Sequence, residues 1–552
     1  MTKSLALIGV HRRFQIVLET TFKNSINLMP LSLTAFLSRR VAASGAATAL
    51  VYNEQPVTYA DLAAESRRVA RGLADLGVGA GDRVALWLPN VPAWLACFFA
   101  CAQLGAIVVT VNTRFKSNEV ADIVGRSGAK VLVLWPDFRH IDFAGILRDI
   151  PPAALANLTA FVAYDESADT IAHPPLLGRP VTRYRDLASL PALDTDGASP
   201  ETGCIIFTTS GTTRAPKFVL HAQASLTHHA GDMARAFGFD AADAAILLTI
   251  PLCGVMGLCT ATAAFAAGRP LVMLPTFEAR AAAQAIRGHG ITHFPAVGDI
   301  VAQLLATGPD PLPFPSMRLA IGARGGQAAP AQARGLTLMG TYGMSEVQAM
   351  LSLQALDAAP AQRELGGGTL IAPEGRVRAR DPASGEILAH GVNGELEFNV
   401  PSMMSGYYAD AAATAAAFTA DGYLKSGDLG YTTGDNSFIY LSRMGDVLRL
   451  AGFLVNPLEV EAVLDAHPAV LASQVVGIEG PRGTRAVAFV VARNGAAVDA
   501  PALIAHCAQR IAKFKVPEHI LPIDAFPFTP SANGNKIQKA KLREIAHAAL
   551  NR

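Results

Sequence analysis

The sequence is poor in charge. Only 16% of its 552 residues are Asp, Glu, Lys or Arg, and they leave a net charge of +1. That balance supplies no field for gripping nucleic acid or an anionic membrane surface. Cysteine is scarce too: Cys97, Cys101, Cys204, Cys253, Cys259 and Cys507 form no CxxC pair and no disulfide framework. They read as reduced, mostly buried thiols of a cytoplasmic protein. No GxxxxGK[ST] loop is present, which excludes a Walker-type ATP hydrolase, and no solenoid repeat is present either. The longest apolar run, Ala93 to Val111, is broken at Gly105 and continues into the β-branched Ile107-Val108-Val109. It reads as helix, turn and buried strand, so no integral membrane span is expected.

What the chain does have is apolar bulk. Hydrophobic residues make up 51%, with 48 Gly and 34 Pro, a globular profile long enough for at least two domains. Residues 1–28 carry His11-Arg12-Arg13 behind a short apolar stretch but no signal-cleavage pattern. They read as an N-terminal extension, with Met29 a second candidate start.

From about Leu31 to Gly430 helix and strand patterns alternate, as in the helix near Tyr59–Leu76 and the strands Arg83–Leu88 and Ala129–Trp135. Such alternation predicts mostly parallel sheets covered by helices. The Ala-rich tracts 279–285 and 411–417 are plain helix formers. Beyond Gly430 the texture turns to short polar turns and a compact α+β stretch. Its strands are expected at Val447–Leu450, Gln474–Val476 and Ala486–Val491, with a helix from Pro457 and a final helix after Pro501. The predicted fold is therefore α/β, a large N-terminal domain over 29–443 and a small, mobile α+β domain over 447–552. A hinge at 444–446 rests on the pliable Gly445-Asp446 pair.

Five stretches carry chemistry. Thr208 through Lys217 (TTSGTTRAPK) follows the apolar strand Cys204–Phe207, and its hydroxyls, Gly211 and Lys217 can cradle phosphate, although such a loop is also an ordinary solvated turn. Gly340-Thr341-Tyr342-Gly343-Met344-Ser345-Glu346 offers a ring for a purine face, a hydroxyl for a phosphate and a carboxylate for Mg²⁺. Asp428, in Lys425-Ser426-Gly427-Asp428, suits ribose hydroxyls from a strand end, or is a turn aspartate. Arg443 and Asp446 precede Gly452 through Glu461, and Lys536 sits beside Asn533-Gly534, where it is either a mobile point charge or a solvated terminal lysine.

In this fixed order the five stretches resemble the acyl-adenylate-forming superfamily of acyl-CoA synthetases, peptide-synthetase adenylation domains and beetle luciferases. The likeness runs from about residue 31 nearly to the C-terminus. Asn90 through Asn112, Pro251-Leu252, Gly394-Glu395-Leu396, Gly406-Tyr407-Tyr408 and Lys513 through Pro517 support it. The resemblance implies activation of a carboxylic acid by ATP and Mg²⁺ to an acyl-AMP, then transfer to coenzyme A. It places Thr209, Ser210, Gly211, Thr212, Thr213 and Lys217 on the β/γ-phosphates and Tyr342 against adenine, flanked by Thr341 and Gly343. Ser345 would lie near the α-phosphate, Glu346 on Mg²⁺, and Asp428 with Arg443 on the ribose. Lys536 would bridge carboxylate and α-phosphate, Asp446 would be the hinge, and Gly452 would line the thiol's tunnel. A carrier-protein phosphopantetheine is the alternative acceptor, and a decayed nucleotide-binding homologue the alternative class.

Three departures stand out. Arg214 and Phe218 occupy positions where relatives often carry glycine, Gly254 stands where many place histidine, and Gly445 replaces a common lysine. The acyl pocket is expected near His221, which is otherwise a plain surface histidine, and near Cys253–Gly257, Phe294–Val297 and Gly322–Arg324, where Arg324 is the one charge that could face it. No charge marks Cys253–Gly257 or Phe294–Val297, so the acid expected is apolar, a fatty or aryl acid.

Overall fold

In the computed structural model, which describes residues 30–166, 174–209, 216–296, 300–308, 314–322, 327–450, 453–480, 483–493, 497–531 and 534–550, the long apolar run divides as its pattern predicts. Pro92–Leu104 is a helix apolar on every side, Gly105 takes the left-handed conformation at φ 66°, and Ile107–Thr110 is a fully buried strand. Among the described residues no helix is long and apolar enough to cross a membrane.

That strand lies inside an eight-stranded sheet. Gly203–Thr208, Ile107–Thr110, Arg83–Trp87, Val131–Leu134, Ala160–Ala163 and Val181–Arg183 run parallel in this order. Phe218–Ala222 and Gly406–Tyr407 add antiparallel at one end. A second, seven-stranded sheet is parallel from Leu338–Met339 to Thr48–Tyr52 and closes with one antiparallel hairpin strand, Gln55–Thr58.

The third sheet differs from the expected parallel pattern. Its seven strands, from Thr341–Met344 to Arg376–Arg380, pair antiparallel throughout. The cause is local turn chemistry. Asp435 and Asn436 both adopt positive φ, 48° and 54°, giving the two-residue loop that reverses Leu424–Gly434 into Ser437–Arg443.

Smaller sheets follow Arg443. Leu448–Leu450 pairs with Phe453–Val455, while Val470–Gly480, Gly483–Ala492 and His519–Pro522 form a three-stranded sheet. The helix after Pro501, at Ala500–Ala508, is not the last element. A hairpin (Phe528–Ser531 with Gly534–Ile537) and the helix Lys539–Leu550 come after it. Their apolar residues are too sparse for the pattern to show: only Leu542 and Ala546 of that helix are buried.

Candidate active site

The phosphate-loop stretch leaves one strand and re-enters the next. Its neck is closed by two bonds: the Thr209 N–H donates to the Lys217 carbonyl at 3.0 Å, and the Lys217 N–H donates to Thr209 Oγ1 at 3.2 Å. Ser210, Gly211, Thr212, Thr213 and Arg214 lie outside the described residues. Phe218 is buried at 3% exposure beneath the Arg126 guanidinium, 4.3 Å from its ring centroid. Arg126 also donates to the Pro216 carbonyl at 2.8 Å and forks onto Asp122. The bulk that departs from the family pattern is thus seated as a clamp on the loop's stem.

The Gly340–Glu346 stretch is the first strand of a tight hairpin. The Thr341 hydroxyl donates across it to the Ser352 carbonyl at 2.7 Å. A Cβ on Gly343 would stand 2.6 Å from Ala349 Cα and 2.7 Å from the Gln348 carbonyl oxygen, so only glycine permits the approach. His221, fully buried, bonds through Nε2 to the Ser345 carbonyl at 2.7 Å. The structure therefore places His221 as a strut under the Ser345–Glu346 turn.

Tyr342 points inward. Its ring stacks on Phe398 at 5.3 Å and meets Phe438 edge-on at 5.2 Å. Its hydroxyl donates to Asp428 Oδ2 at 2.5 Å, and Arg443 Nε lies 3.1 Å from Asp428 Oδ1. Burial, then the Asp428 charge, push the Tyr342 phenol well above its usual range, so it stays a donor. Asp428 is not at a strand end but in the middle of Leu424–Gly434, beside Gly427 at φ 67°.

Glu346 is 8% exposed, and its Oε1 accepts a 3.0 Å hydrogen bond from the Tyr407 hydroxyl. On the Tyr407 ring rests Lys217, its Nζ 4.3 Å from the centroid. Five residues drawn from four separate stretches (Lys217, Tyr342 and Glu346, Asp428, Arg443) are thereby tied into two short side-chain chains, with Tyr407 joining one of them. In the sequence Tyr407 is only part of the supporting Gly406-Tyr407-Tyr408 pattern, with nothing in it to mark a role.

Cys253 and Gly254 lead into the helix Val255–Ala267, with Gly254 as its N-cap. Burial pushes the Cys253 thiol up to about 12, so it is no thiolate nucleophile near neutral pH. Gln348, two residues past Glu346, was missed by sequence reasoning. It is 2% exposed, holds φ 70°, accepts from Cys259 Sγ at 3.2 Å and, among the described residues, has no partner for its Nε2. Arg324 and Val297, also named for the pocket, lie outside the described residues.

Past Arg443, Met444–Asp446 is a single 3-10 turn. Arg543 of the terminal helix donates to the Gly445 carbonyl at 2.9 Å and to Asp446 Oδ1 at 3.3 Å. Gly452 falls outside the described residues, between the paired strands Leu448–Leu450 and Phe453–Val455. Lys536 sits opposite Thr529 in the last hairpin. The root of that hairpin is fixed by Lys539, 3.1 Å from Glu461 Oε1, which also accepts from the Val475 N–H at 2.8 Å.

Three imidazoles give the fold a pH limit. Burial pushes His221, His229 and His293 each down to about 4. Unfolded, each titrates near 6.5, so between pH 6.5 and 4 the unfolded chain binds more protons and stability falls with pH. Each contributes up to about 3 kcal/mol of that loss. Asp232, raised to about 6 by burial, acts in the opposite sense between 6 and 3.8 and offsets part of it. A melting series from pH 7.5 to 4.5 is expected to show a steep fall below 6.5; a flat profile would show the three rings are not held neutral.

A family model described as AMP-binding enzyme matches residues 37–408, and one described as AMP-binding enzyme C-terminal domain matches residues 459–533. Sulfoacetate–CoA ligase of Cupriavidus necator is 32% identical over 88% of this chain and 92% of its own. Feruloyl-CoA synthase of an Amycolatopsis species is 31% identical over 92% and 97%. Among solved structures, ATP-bound MatB from Rhodopseudomonas palustris superposes with a TM-score of 0.79 at 24% identity, covering 95% of this chain and 100% of that one, a likeness of fold.

Proposed function

Because the chain belongs to the AMP-binding enzyme family, we propose that it is an AMP-forming acid–CoA ligase whose chemistry is carried by the residues gathered around Glu346 and Asp428. It takes ATP, Mg²⁺ and coenzyme A. A carboxylate oxygen attacks the α-phosphorus and pyrophosphate leaves; the coenzyme A thiol then attacks the acyl carbonyl and AMP leaves. The observation that carries the reading is the pairing of Tyr342 with Asp428 and Arg443 beside the pairing of Glu346 with Tyr407 and Lys217. These groups are far apart in sequence and of the types that an anion-on-anion reaction needs for positioning and charge stabilisation.

Lys217 and the loop closed at Thr209 hold the outer phosphates, and Asp428 and Arg443 the ribose, with the buried Tyr342 holding Asp428 in place from within. Among the described residues no group of three or more His, Cys, Asp or Glu converges on a metal. A single buried carboxylate, Glu346, fits Mg²⁺ that arrives with phosphate ligands. Bound there, Mg²⁺ offsets phosphate charge. Lys536 supplies the mobile charge, on a hairpin that pivots at Asp446. Gly452 borders the thiol's path, and the protein works in the cytoplasm.

The acid is an aryl or fatty acid. The unpartnered Gln348 amide nitrogen supports one further detail, an acid bearing a neutral oxygen acceptor, because a buried donor left unmade is costly. Gln348 sits two residues beyond Glu346, just past the hairpin turn and paired across it with Met344. A panel of fatty, plain aryl and oxygenated aryl acids, assayed for pyrophosphate release with and without coenzyme A, tests this. Turnover is expected to be highest with oxygenated aryl acids and to need coenzyme A for thioester. Release without thioester would point to a carrier-protein acceptor, and silence across the panel would reject the ligase reading.

A further inference from the structure

We infer that Tyr407 is a positioning residue for adenylation, an insulating ring that holds Lys217 and Glu346 side by side without letting them pair. Its hydroxyl donates to Glu346 Oε1 at 3.0 Å while its face carries the Lys217 ammonium at 4.3 Å. A lysine and a buried carboxylate this close would ordinarily form an ion pair, and each would cancel the charge the other needs to meet phosphate and metal. The ring replaces that pair with a cation–π contact on one side and a hydrogen bond on the other. Lys217 makes no ion pair among the described residues, its ammonium lying over the Tyr407 ring.

The backbone shows why the ring is held there. Tyr407 pairs with Val219 on the strand leaving the phosphate loop, and the Tyr408 N–H donates to the Phe218 carbonyl at 2.7 Å. Just upstream, the Met404 N–H donates to the Glu346 carbonyl at 2.7 Å and the Ser402 hydroxyl to the Val347 carbonyl at 2.8 Å. The segment 402–408 is thus stitched to both halves of the site. Thr414 Oγ1 locks it by accepting the Tyr407 N–H at 2.9 Å.

The inference rests on the ATP-site reading, and calorimetric titration separates the two. ATP is titrated with Mg²⁺ and again in EDTA, into the wild type, Tyr407→Phe and Tyr407→Leu. The phenylalanine keeps the ring for Lys217 but loses the bond that orients Glu346. Its affinity in EDTA should match the wild type within about twofold, while its gain from Mg²⁺ should shrink about tenfold, the worth of one hydrogen bond to a charged group. The leucine should weaken both titrations. A phenylalanine variant that keeps the full Mg²⁺ gain overturns the inference, as does an equal loss with and without Mg²⁺, which is what a merely structural ring would give. A folded wild type that binds ATP in neither condition overturns the ATP site itself.

Discussion

Alanine at Lys536 is expected to lower acid-dependent pyrophosphate exchange by about 10²–10³-fold, the range seen when one group that stabilises developing charge is removed. The melting temperature should not move. The hairpin that carries Lys536 is held by its backbone pairing with Phe528–Ser531 and, at its root, by the buried Lys539–Glu461 contact, neither of which uses the Lys536 side chain. A carboxylate approaching the α-phosphorus brings negative charge onto negative charge, so the lysine's benefit lies in the transition state and not in holding ATP. ATP binding should therefore survive the change. Thioester formation from pre-made acyl-adenylate should survive too, because that step has no such charge encounter. Loss of both half-reactions in equal measure would remove Lys536 from its proposed role.

Alanine at Asp428 is expected to act on both binding and stability. Asp428 is 2% exposed and takes the Tyr342 hydroxyl at 2.5 Å. Without it that buried hydroxyl keeps only the weak Met344 sulfur acceptor at 3.7 Å, a loss of about 1–3 kcal/mol. The Arg443 side chain is 53% exposed, so its ion pair with Asp428 adds little stability of its own. The binding loss is larger. Two ribose hydroxyls on one carboxylate contribute about 1.5 kcal/mol each, so ATP affinity should fall about 10²-fold. Asparagine, which keeps the shape and an acceptor, should retain most of the melting temperature and lose part of the affinity. Titration calorimetry and thermal unfolding on the two variants check this; unchanged ATP affinity in the alanine variant would place the ribose elsewhere.

The parallel half of the fold was legible because its strands are short, β-branched and buried on both faces, as in Ile107–Thr110 and Val131–Leu134, with helices of even period between them. The antiparallel third sheet was not, since its direction is set by turns such as Asp435-Asn436, whose left-handed backbone is a local choice that hydrophobic periodicity does not report. The terminal hairpin and helix bury too few apolar side chains to leave a pattern. At the site, motif order named Lys217, Glu346, Asp428 and Arg443, because each is the residue type its chemistry demands. Tyr407 escaped because its meaning is a contact: only the fold lays a lysine on one face of that ring and a carboxylate at its hydroxyl. Gln348 escaped for a related reason. Its signal is an unmet hydrogen bond inside the core, which no pattern of letters displays.

The most direct test is to identify what ATP becomes. Protein, ATP, Mg²⁺, coenzyme A and an accepted aryl acid should yield AMP, pyrophosphate and acyl-CoA in equal amounts, with no product when the acid is omitted. ADP and orthophosphate in their place would mean attack at the outermost phosphorus, and would contradict a site built to present the innermost one.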